Sequence, residues 1–385
     1  MKLLLPRTAP RSLSLRAHAL HQRRAFSSPR TNGDFVRIIE VGPRDGLQNE
    51  KKSIPLDTKF ELVRRLATTG LQTIEAGSFV SPKWVPQMAS SDEIMKRLYT
   101  SPPPSPSSIT YQWLLPNIRG LETFNSIYQS PDSTNDNGPA LNTSSADANA
   151  MPTSKSSSAS GSPTHEISIF LAATESFSKR NTNCTIAESL ERFRPLISTA
   201  RAASVRVRAY ISVALGCPFE GPDTDPHVVA SLAASLLEMG ADEISVADTT
   251  GMATPPKTRT LLRTLSSAGV RSEDIALHFH DTFGQALVNV LVGLEHGVRA
   301  FDSAVGGLGG CPFSPGATGN VATEDLVYTL HALGAETGVD IDEVSRIGAW
   351  ITSEVGKPNE SRAGKGTLAR LRKEAGSKDA AAATA

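Results

Sequence analysis

A chain of 385 residues has room for one large α/β domain or two small ones. Its 39 basic and 39 acidic side chains cancel and only 5% of its residues are aromatic, so bulk charge gives no reason to expect a nucleic-acid or acidic partner. Three cysteines (Cys184, Cys217 and Cys311) are too few for a disulfide framework and are not spaced for zinc, which fits a reducing compartment.

Residues 1–33 form a segment of their own. They carry Lys2, Arg7, Arg11, Arg16, Arg23, Arg24 and Arg30, and the first acidic residue is Asp34. An Arg-rich, Ser-rich, acid-free leader predicts a mitochondrial transit peptide and a matrix protein. The run Leu3-Leu4-Leu5 is too short for a secretory core, and no other stretch is suited to span a membrane.

From residue 35 the pattern alternates. A strand is expected over 35–41, broken by Gly42-Pro43-Arg44-Asp45-Gly46. Helical spacing of Phe60, Val63, Leu66 and Ala67 predicts a helix over 57–69, with Asp57 as N-cap and Gly70 as the stop. A second strand, 71–76, carries Glu75 near its end, and a helix follows near 89–99. Strand 111–115 and helix 118–128 come next. The pattern then stops: 129–164 is Ser, Thr, Asn, Asp, Pro, Gly and Ala with almost nothing apolar, the composition of a disordered insertion. Strands resume at 166–172, 205–215, 243–247, 275–280 and 300–305. Helices are expected at 185–203, 226–239, 255–267, 284–296, 321–333 and 340–355. Residues 356–385 are read as a flexible tail that frays after about 362.

Eight strands alternating with eight helices predict a closed (β/α)8 TIM barrel over 34–355 with an extra C-terminal helical segment. An open doubly wound sheet is the competing fold, and the lack of GxGxxG after the first strand weakens a dinucleotide-binding version of it. Barrel enzymes work at the C-terminal ends of their strands. Arg44, Asp45, Glu75, Asp248, His278 and His280 all fall there. The insertion, lying between a helix and the next strand, belongs to the opposite face and is expected to be dispensable for chemistry.

His278 and His280 are two apart on a strand, so they project to one face and can grip one metal ion. An isolated HxH is more often a pair of core histidines, but the distant Arg44-Asp45-Gly46 cluster shifts that balance. Asp45, His278 and His280 with a fourth oxygen ligand suit Mg²⁺ or Mn²⁺ better than zinc. Asn320 either supplies that ligand or caps the last barrel helix. Arg44 can hold a developing oxyanion. The loop Gly306-Gly307-Leu308-Gly309-Gly310-Cys311-Pro312 admits three readings: a hinged loop carrying a reactive thiol, a phosphate cradle, or a plain turn. Cys217 lies past a strand end and can line the site.

Four stretches, 40–50 (EVGPRDGLQNE), 78–88 (SFVSPKWVPQM), 278–286 (HFHDTFGQA) and 307–325 (GLGGCPFSPGATGNVATED), resemble the hydroxymethylglutaryl-CoA lyase family. The likeness runs from about residue 35 to 350, the insertion excepted. Arg-Asp-Gly alone is shared with a wider superfamily of metal-dependent barrels that includes isopropylmalate and homocitrate synthases; the Gly-Leu-Gly-Gly-Cys-Pro loop is more specific. The resemblance implies divalent-metal-dependent cleavage of 3-hydroxy-3-methylglutaryl-CoA to acetoacetate and acetyl-CoA, as in leucine breakdown and ketone-body formation, by a homodimer. It implies Asp45, His278, His280 and Asn320 as metal ligands. It places Arg44 at the product enolate, with Gln48 beside it at the substrate. Glu75 and Asp248 become active-site acids and Cys311 the cysteine of a mobile catalytic loop, His278 and Cys311 being candidates for proton transfer. A related lyase or acyltransferase acting on another 3-hydroxyacyl-CoA is the alternative. The chain departs from animal members of the family in lacking a further cysteine near the C-terminus, and in the added segment 129–164.

Overall fold

Short apolar runs punctuated by Gly and Pro become eight parallel strands that close on themselves. The computed structural model describes residues 35–128, 163–310 and 319–382. The expectations for the leader, for most of the insertion and for Cys311 concern residues outside these. The strands are β1 (Arg37–Glu40), β2 (Thr73–Ser78), β3 (Thr110–Leu114), β4 (Thr164–Ala172), β5 (Arg206–Ser212), β6 (Glu243–Asp248), β7 (Ile275–Phe279) and β8 (Ala300–Ser303). Each pairs with the next, and β8 returns to β1 with Arg37 opposite Ala300 and Glu40 opposite Ser303. The chain is therefore a closed (β/α)8 barrel, as its alternation predicts.

The helices are α1 (Leu56–Ala67), α2 (Ser91–Thr100), α3 (Ile118–Ile127), α4 (Glu175–Thr182), α5 (Ile186–Ala202), α6 (Pro226–Met239), α7 (Pro255–Ser267), α8 (Ala286–Glu295), α9 (Thr323–Ala332), α10 (Ile341–Val355) and α11 (Arg362–Ala382). They start where capping chemistry allows. Thr185 and Glu188 make a reciprocal capping box on α5, and Asp225 caps α6 ahead of Pro226 in its first turn. The outward side of the sheet is hydrocarbon: Ile38, Val207, Ala209, Ile211, Ile244, Val246, Leu277 and Phe301 are buried there.

Three local readings change. The cap of α1 is Pro55 rather than Asp57; Asp57 sits inside the first turn and accepts a hydrogen bond from Arg97 at 2.7 Å. Helix α4 was not anticipated, being short and polar, and it ends at Asn183 in the left-handed region with φ 51°. The segment after residue 362 is a helix where a fraying tail was expected. Its first turn is held by Asp325, whose carboxylate accepts from Ser361 Oγ and from the backbone N–H groups of Arg362 and Ala363. An anion at a helix N-terminus satisfies N–H groups that have no partner within the helix.

The barrel interior is polar. Its inward positions carry Arg208, Tyr210, Glu243, Ser245, His278, Asp302, Glu75, Gln112 and Ser168, all buried and joined to one another by side-chain contacts across strands. Barrels more often fill this space with branched aliphatic side chains.

The chain leaves α3 at Tyr128 and re-enters at β4, at the barrel end opposite the strand C-termini. His165, at the start of β4, is packed there among aromatics. Tyr99 stacks on it with ring centroids 4.6 Å apart, and Trp113 donates its indole N–H to Nδ1 at 3.0 Å. Burial favours the neutral ring and lowers its pKa to about 4. Below its ordinary value of about 6.5 the unfolded chain takes up this proton and the folded one does not. Stability contributed by the neutral ring is thus complete above that value and is lost as pH falls toward about 4. His165→Phe keeps the stacking and removes the titration. The stability difference between wild type and H165F is expected to shift by about 1.4 kcal/mol per pH unit between pH ~6.5 and ~5, wild type losing ground as pH falls. Urea unfolding across that range measures it, and a constant difference would show that burial does not hold His165 neutral.

Candidate active site

The site is assembled from four strand ends. After β1 the chain makes a single π-helical turn, Gly42–Gly46, in which Gly46 N–H reaches back to Val41 O at 3.1 Å. That wide turn sets Arg44 and Asp45 side by side at the mouth of the barrel, and π-turns of this kind recur at functional sites. A Cβ on Gly46 would lie 2.8 Å from Leu308 Cβ, so the glycine lets this turn pack against the segment after β8.

Arg44 is buried and clamped between two carboxylates. Its Nε donates to Glu75 Oε2 at 2.6 Å and its Nη1 to Asp45 Oδ1 at 2.6 Å. Glu75 in turn accepts from Gln112 Nε2 (2.9 Å), Ser168 Oγ (2.8 Å) and the Tyr210 hydroxyl (3.2 Å). A carboxylate with this many donors has no freedom to turn away, so the guanidinium it holds is fixed before any substrate arrives. Burial alone would raise the Asp45 carboxyl; Arg44, with His278 and His280 adding to it, outweighs that and brings it to about 2. Asp45 is therefore an anion at any physiological pH.

His278 and His280 share a face, as their spacing requires. The Nε2 atoms of both rings lie 4.0 Å from Asp45 Oδ2, and one ligand atom from each of the three residues falls within 4.8 Å of the others. Asn320 arrives from the far side of the loop: its backbone bridges to His280, and Val321 N–H donates to Phe279 O at 3.0 Å. Its amide N–H donates to Asp45 Oδ2 at 2.9 Å. Asn320 does not cap α9, which has Ala322 at its N-cap. Two polar atoms here are buried without a hydrogen-bond partner, His280 Nδ1 and Asn320 Oδ1. Leaving an amide oxygen unpaired beside an anion is costly. A cation between Asp45 and the imidazoles would let the amide turn its oxygen inward and relieve that cost. The donor set is one carboxylate, two imidazoles and one amide, and it fits a divalent ion.

Gln48, placed at the substrate by resemblance, here donates to Asp45 Oδ1 at 2.7 Å and so supports that carboxylate. Asp248 ends β6; its Oδ2 accepts from Ala253 N–H at 3.1 Å while Oδ1 is buried without a partner, and burial raises its pKa to about 7. Cys311 lies outside the described residues; the residue before it, Gly310, is tied through its carbonyl to Asn49 Nδ2 at 2.9 Å. Cys217 is buried near Thr174 Oγ1, at 3.2 Å. The sequence motifs do not single out Asp302, Arg208, Tyr210, Gln112, Ser168, Glu40 or Glu324. A period-two polar pattern within the strands (Arg208-x-Tyr210, Glu243-x-Ser245, Glu166-x-Ser168) was the available signal.

Comparisons with known proteins identify the family. The family model HMGL-like matches residues 147–351. The chain is 44% identical over 339 residues to the hydroxymethylglutaryl-CoA lyase of Pseudomonas mevalonii, covering 88% of this chain and 99% of that protein. The chain belongs to the hydroxymethylglutaryl-CoA lyase family. Among solved structures, hydroxymethylglutaryl-CoA lyase from Pseudomonas aeruginosa superposes with a TM-score of 0.74 at 44% identity, covering 88% of this chain and 98% of that one. Family relatives from Rattus norvegicus at 42% identity include both a cytoplasmic lyase and a mitochondrial one, so similarity does not choose between compartments. No helix among the described residues is long and apolar enough to cross a membrane.

Removing the anion of the cluster tests the donor set. Asp45→Ala is expected to weaken Mn²⁺ binding beyond the roughly 10–100-fold that loss of a supporting contact costs. Isothermal titration of both proteins reads this directly, and equal affinities would remove Asp45 from the ligand set.

Proposed function

We propose that the chain cleaves 3-hydroxy-3-methylglutaryl-CoA to acetoacetate and acetyl-CoA, with Mg²⁺ or Mn²⁺ held by Asp45, His278, His280 and Asn320. The observation that carries this reading is the juxtaposition of Arg44, locked by Glu75, with an Asp-His-His cluster that fits a divalent cation. The reaction removes the proton of the tertiary hydroxyl, breaks the C2–C3 bond, and leaves a thioester enolate that must be stabilised and then protonated. Bound there, the cation supplies Lewis-acid polarisation of the substrate's hydroxyl and carboxylate oxygens.

The chain's own residues do the rest. Arg44, preorganised in a largely buried site, meets the negative charge that grows on the thioester oxygen. Glu75 accepts from the guanidinium and is itself held by three other side-chain donors, Gln112, Ser168 and Tyr210. His278 has its Nδ1 bonded to Asp302 and its Nε2 turned to the cluster, which leaves neither ring nitrogen for proton transfer while a metal is held. We therefore assign the proton transfers to Asp248, whose unpartnered Oδ1 and pKa near 7 suit that work, and to Cys311 on the glycine-rich loop.

The same proposal includes the mitochondrial matrix, supported by the Arg-rich, acid-free residues 1–33, and a homodimer, supported by the exposed apolar residues Val288 and Leu291 on α8 and Tyr328 on α9. Fractionation and sedimentation test these two points, the first failing if the protein stays in the cytosol.

The activity is tested by incubating the protein with 3-hydroxy-3-methylglutaryl-CoA, with Mg²⁺ or Mn²⁺ and then with chelator, and assaying acetoacetate. Product is expected with the metal and none with chelator; no product from folded, metal-loaded protein would move the substrate to another 3-hydroxyacyl-CoA. Arg44→Gln is expected to lower kcat by about 10²–10³ or more, as loss of one preorganised oxyanion donor does. Asp248→Asn is expected to lower kcat with Mn²⁺ affinity kept, and an unchanged rate would remove it from the proton path.

A further inference from the structure

The two imidazoles of the cluster are supported differently. His278 Nδ1 lies 3.0 Å from Asp302 Oδ2, whereas His280 Nδ1 is buried with no partner. Asp302 is fully buried on β8, and each of its oxygens is committed. Oδ1 accepts from Arg208 Nη2 at 2.6 Å, and Oδ2 accepts from Ser245 Oγ at 3.1 Å as well as facing the imidazole. Arg208 is itself pinned, with Nη1 on the Tyr210 hydroxyl at 3.1 Å and Nε 2.8 Å from Glu243 Oε1.

We propose that Asp302 is a positioning residue that fixes the tautomer of His278, and that Arg208 fixes Asp302 for that task. A carboxylate oxygen can only accept, so the proton of a neutral His278 must sit on Nδ1. The lone pair is then on Nε2, the atom 4.0 Å from Asp45 Oδ2. A carboxylate behind a ligating imidazole also holds the ring plane and strengthens the ring as a donor. His280 has no such support, so the two histidines divide the work: His278 is the preset ligand and His280 adapts to what is bound. The part of this proposal that concerns metal affinity rests on the metal reading above; the tautomer does not.

Asp302→Asn tests it. Arg208 must donate to this side chain, which turns the amide oxygen of the variant toward Arg208 and its NH₂ toward His278. A donor facing Nδ1 forces the ring to accept there and moves its proton to Nε2, where it blocks a ligand. Long-range ¹H–¹⁵N spectra of the metal-free protein, above the ordinary imidazole range of pH, read the tautomer. Wild type is expected to carry the His278 proton on Nδ1, and D302N on Nε2. Mn²⁺ affinity is expected to fall about 10–100-fold in D302N, the usual range for loss of such a contact. Ser245→Ala, which leaves the carboxylate on Nδ1, is expected to keep the wild-type tautomer.

A wild-type His278 protonated on Nε2 would overturn the proposal without any variant, so it stays testable if D302N does not fold. An unchanged tautomer in folded D302N would overturn it equally. If the tautomer reverses while wild type binds no Mn²⁺, the metal reading fails and the control of His278 by Asp302 stands.

Discussion

An arginine at the centre of a β-barrel must find a partner for each N–H or cost several kcal/mol of desolvation. Arg208 is such a residue: its two Nη groups donate to Tyr210 and Asp302, while its Nε lies 2.8 Å from Glu243 Oε1 as an ion pair without a hydrogen bond. Asp302 and Glu243 oppose its charge and the neutral Tyr210 hydroxyl accepts from it, although burial works against all three charges. Burial would lift the Asp302 carboxyl, but Arg208 holds it below the ordinary carboxylate range. Replacing such a group by hydrocarbon is often neutral for stability, so a charged interior is better understood through what it positions. Here it leads to the mouth of the barrel by two routes, through Asp302 to His278 and through Tyr210 to Glu75 and Arg44.

This arrangement explains how a site built on loops after strands can be held rigidly. Arg44 and Asp45 lie on a turn, but the turn is not what fixes them. Glu75 is on β2, Gln112 on β3, Ser168 on β4 and Tyr210 on β5, so four neighbouring strands specify one guanidinium. The opposite charges then settle protonation. Asp45 is held ionised by Arg44, while burial, only partly offset by backbone donors and His278, pushes Asp248 to about 7. Two aspartates at strand ends of one barrel thus acquire different chemistry from their surroundings alone.

Much of this was legible in the sequence, for reasons that also mark where legibility stops. The barrel follows from alternation, and the pairing of His278 with His280 follows from the two-residue period of a strand. Arg44 and Asp45 stood out because Pro and Gly around them rule out an ordinary helix or strand. Asp302, Gln112 and Ser168 did not, since each sits among apolar neighbours and its partners are tens of residues away; Tyr210 has Arg208 two residues before it, but its link to Glu75 spans the barrel. Asn320 was ambiguous between ligand and cap because both roles use the same amide; the start of α9 at Thr323 removes the second. Helices α4 and α11 were missed for a different reason. Their sequences have little apolar periodicity, and α11 is fixed by Asp325 from another helix.

The two segments that carry the site residues are coupled to each other as well as to the barrel. Glu40, at the end of β1, accepts from Gly42 N–H (2.8 Å) at the start of the Arg44 turn and from Val305 N–H (2.9 Å) at the start of the glycine-rich loop. Thr323 Oγ1, opening α9, donates to the other oxygen at 2.6 Å. Glu324 takes the next N–H of the loop, Gly306, at 2.9 Å. Burial lifts Glu40 to about 7 and Glu324 to about 8, so neither charge comes without cost, and each is offset by the backbone donors it collects. A hydrocarbon side chain at either position could fill the space but would leave those N–H groups unpaired. The roots of turn and loop therefore share one carboxylate, so the same side chain anchors the backbone before Arg44 and the backbone leading to Gly310.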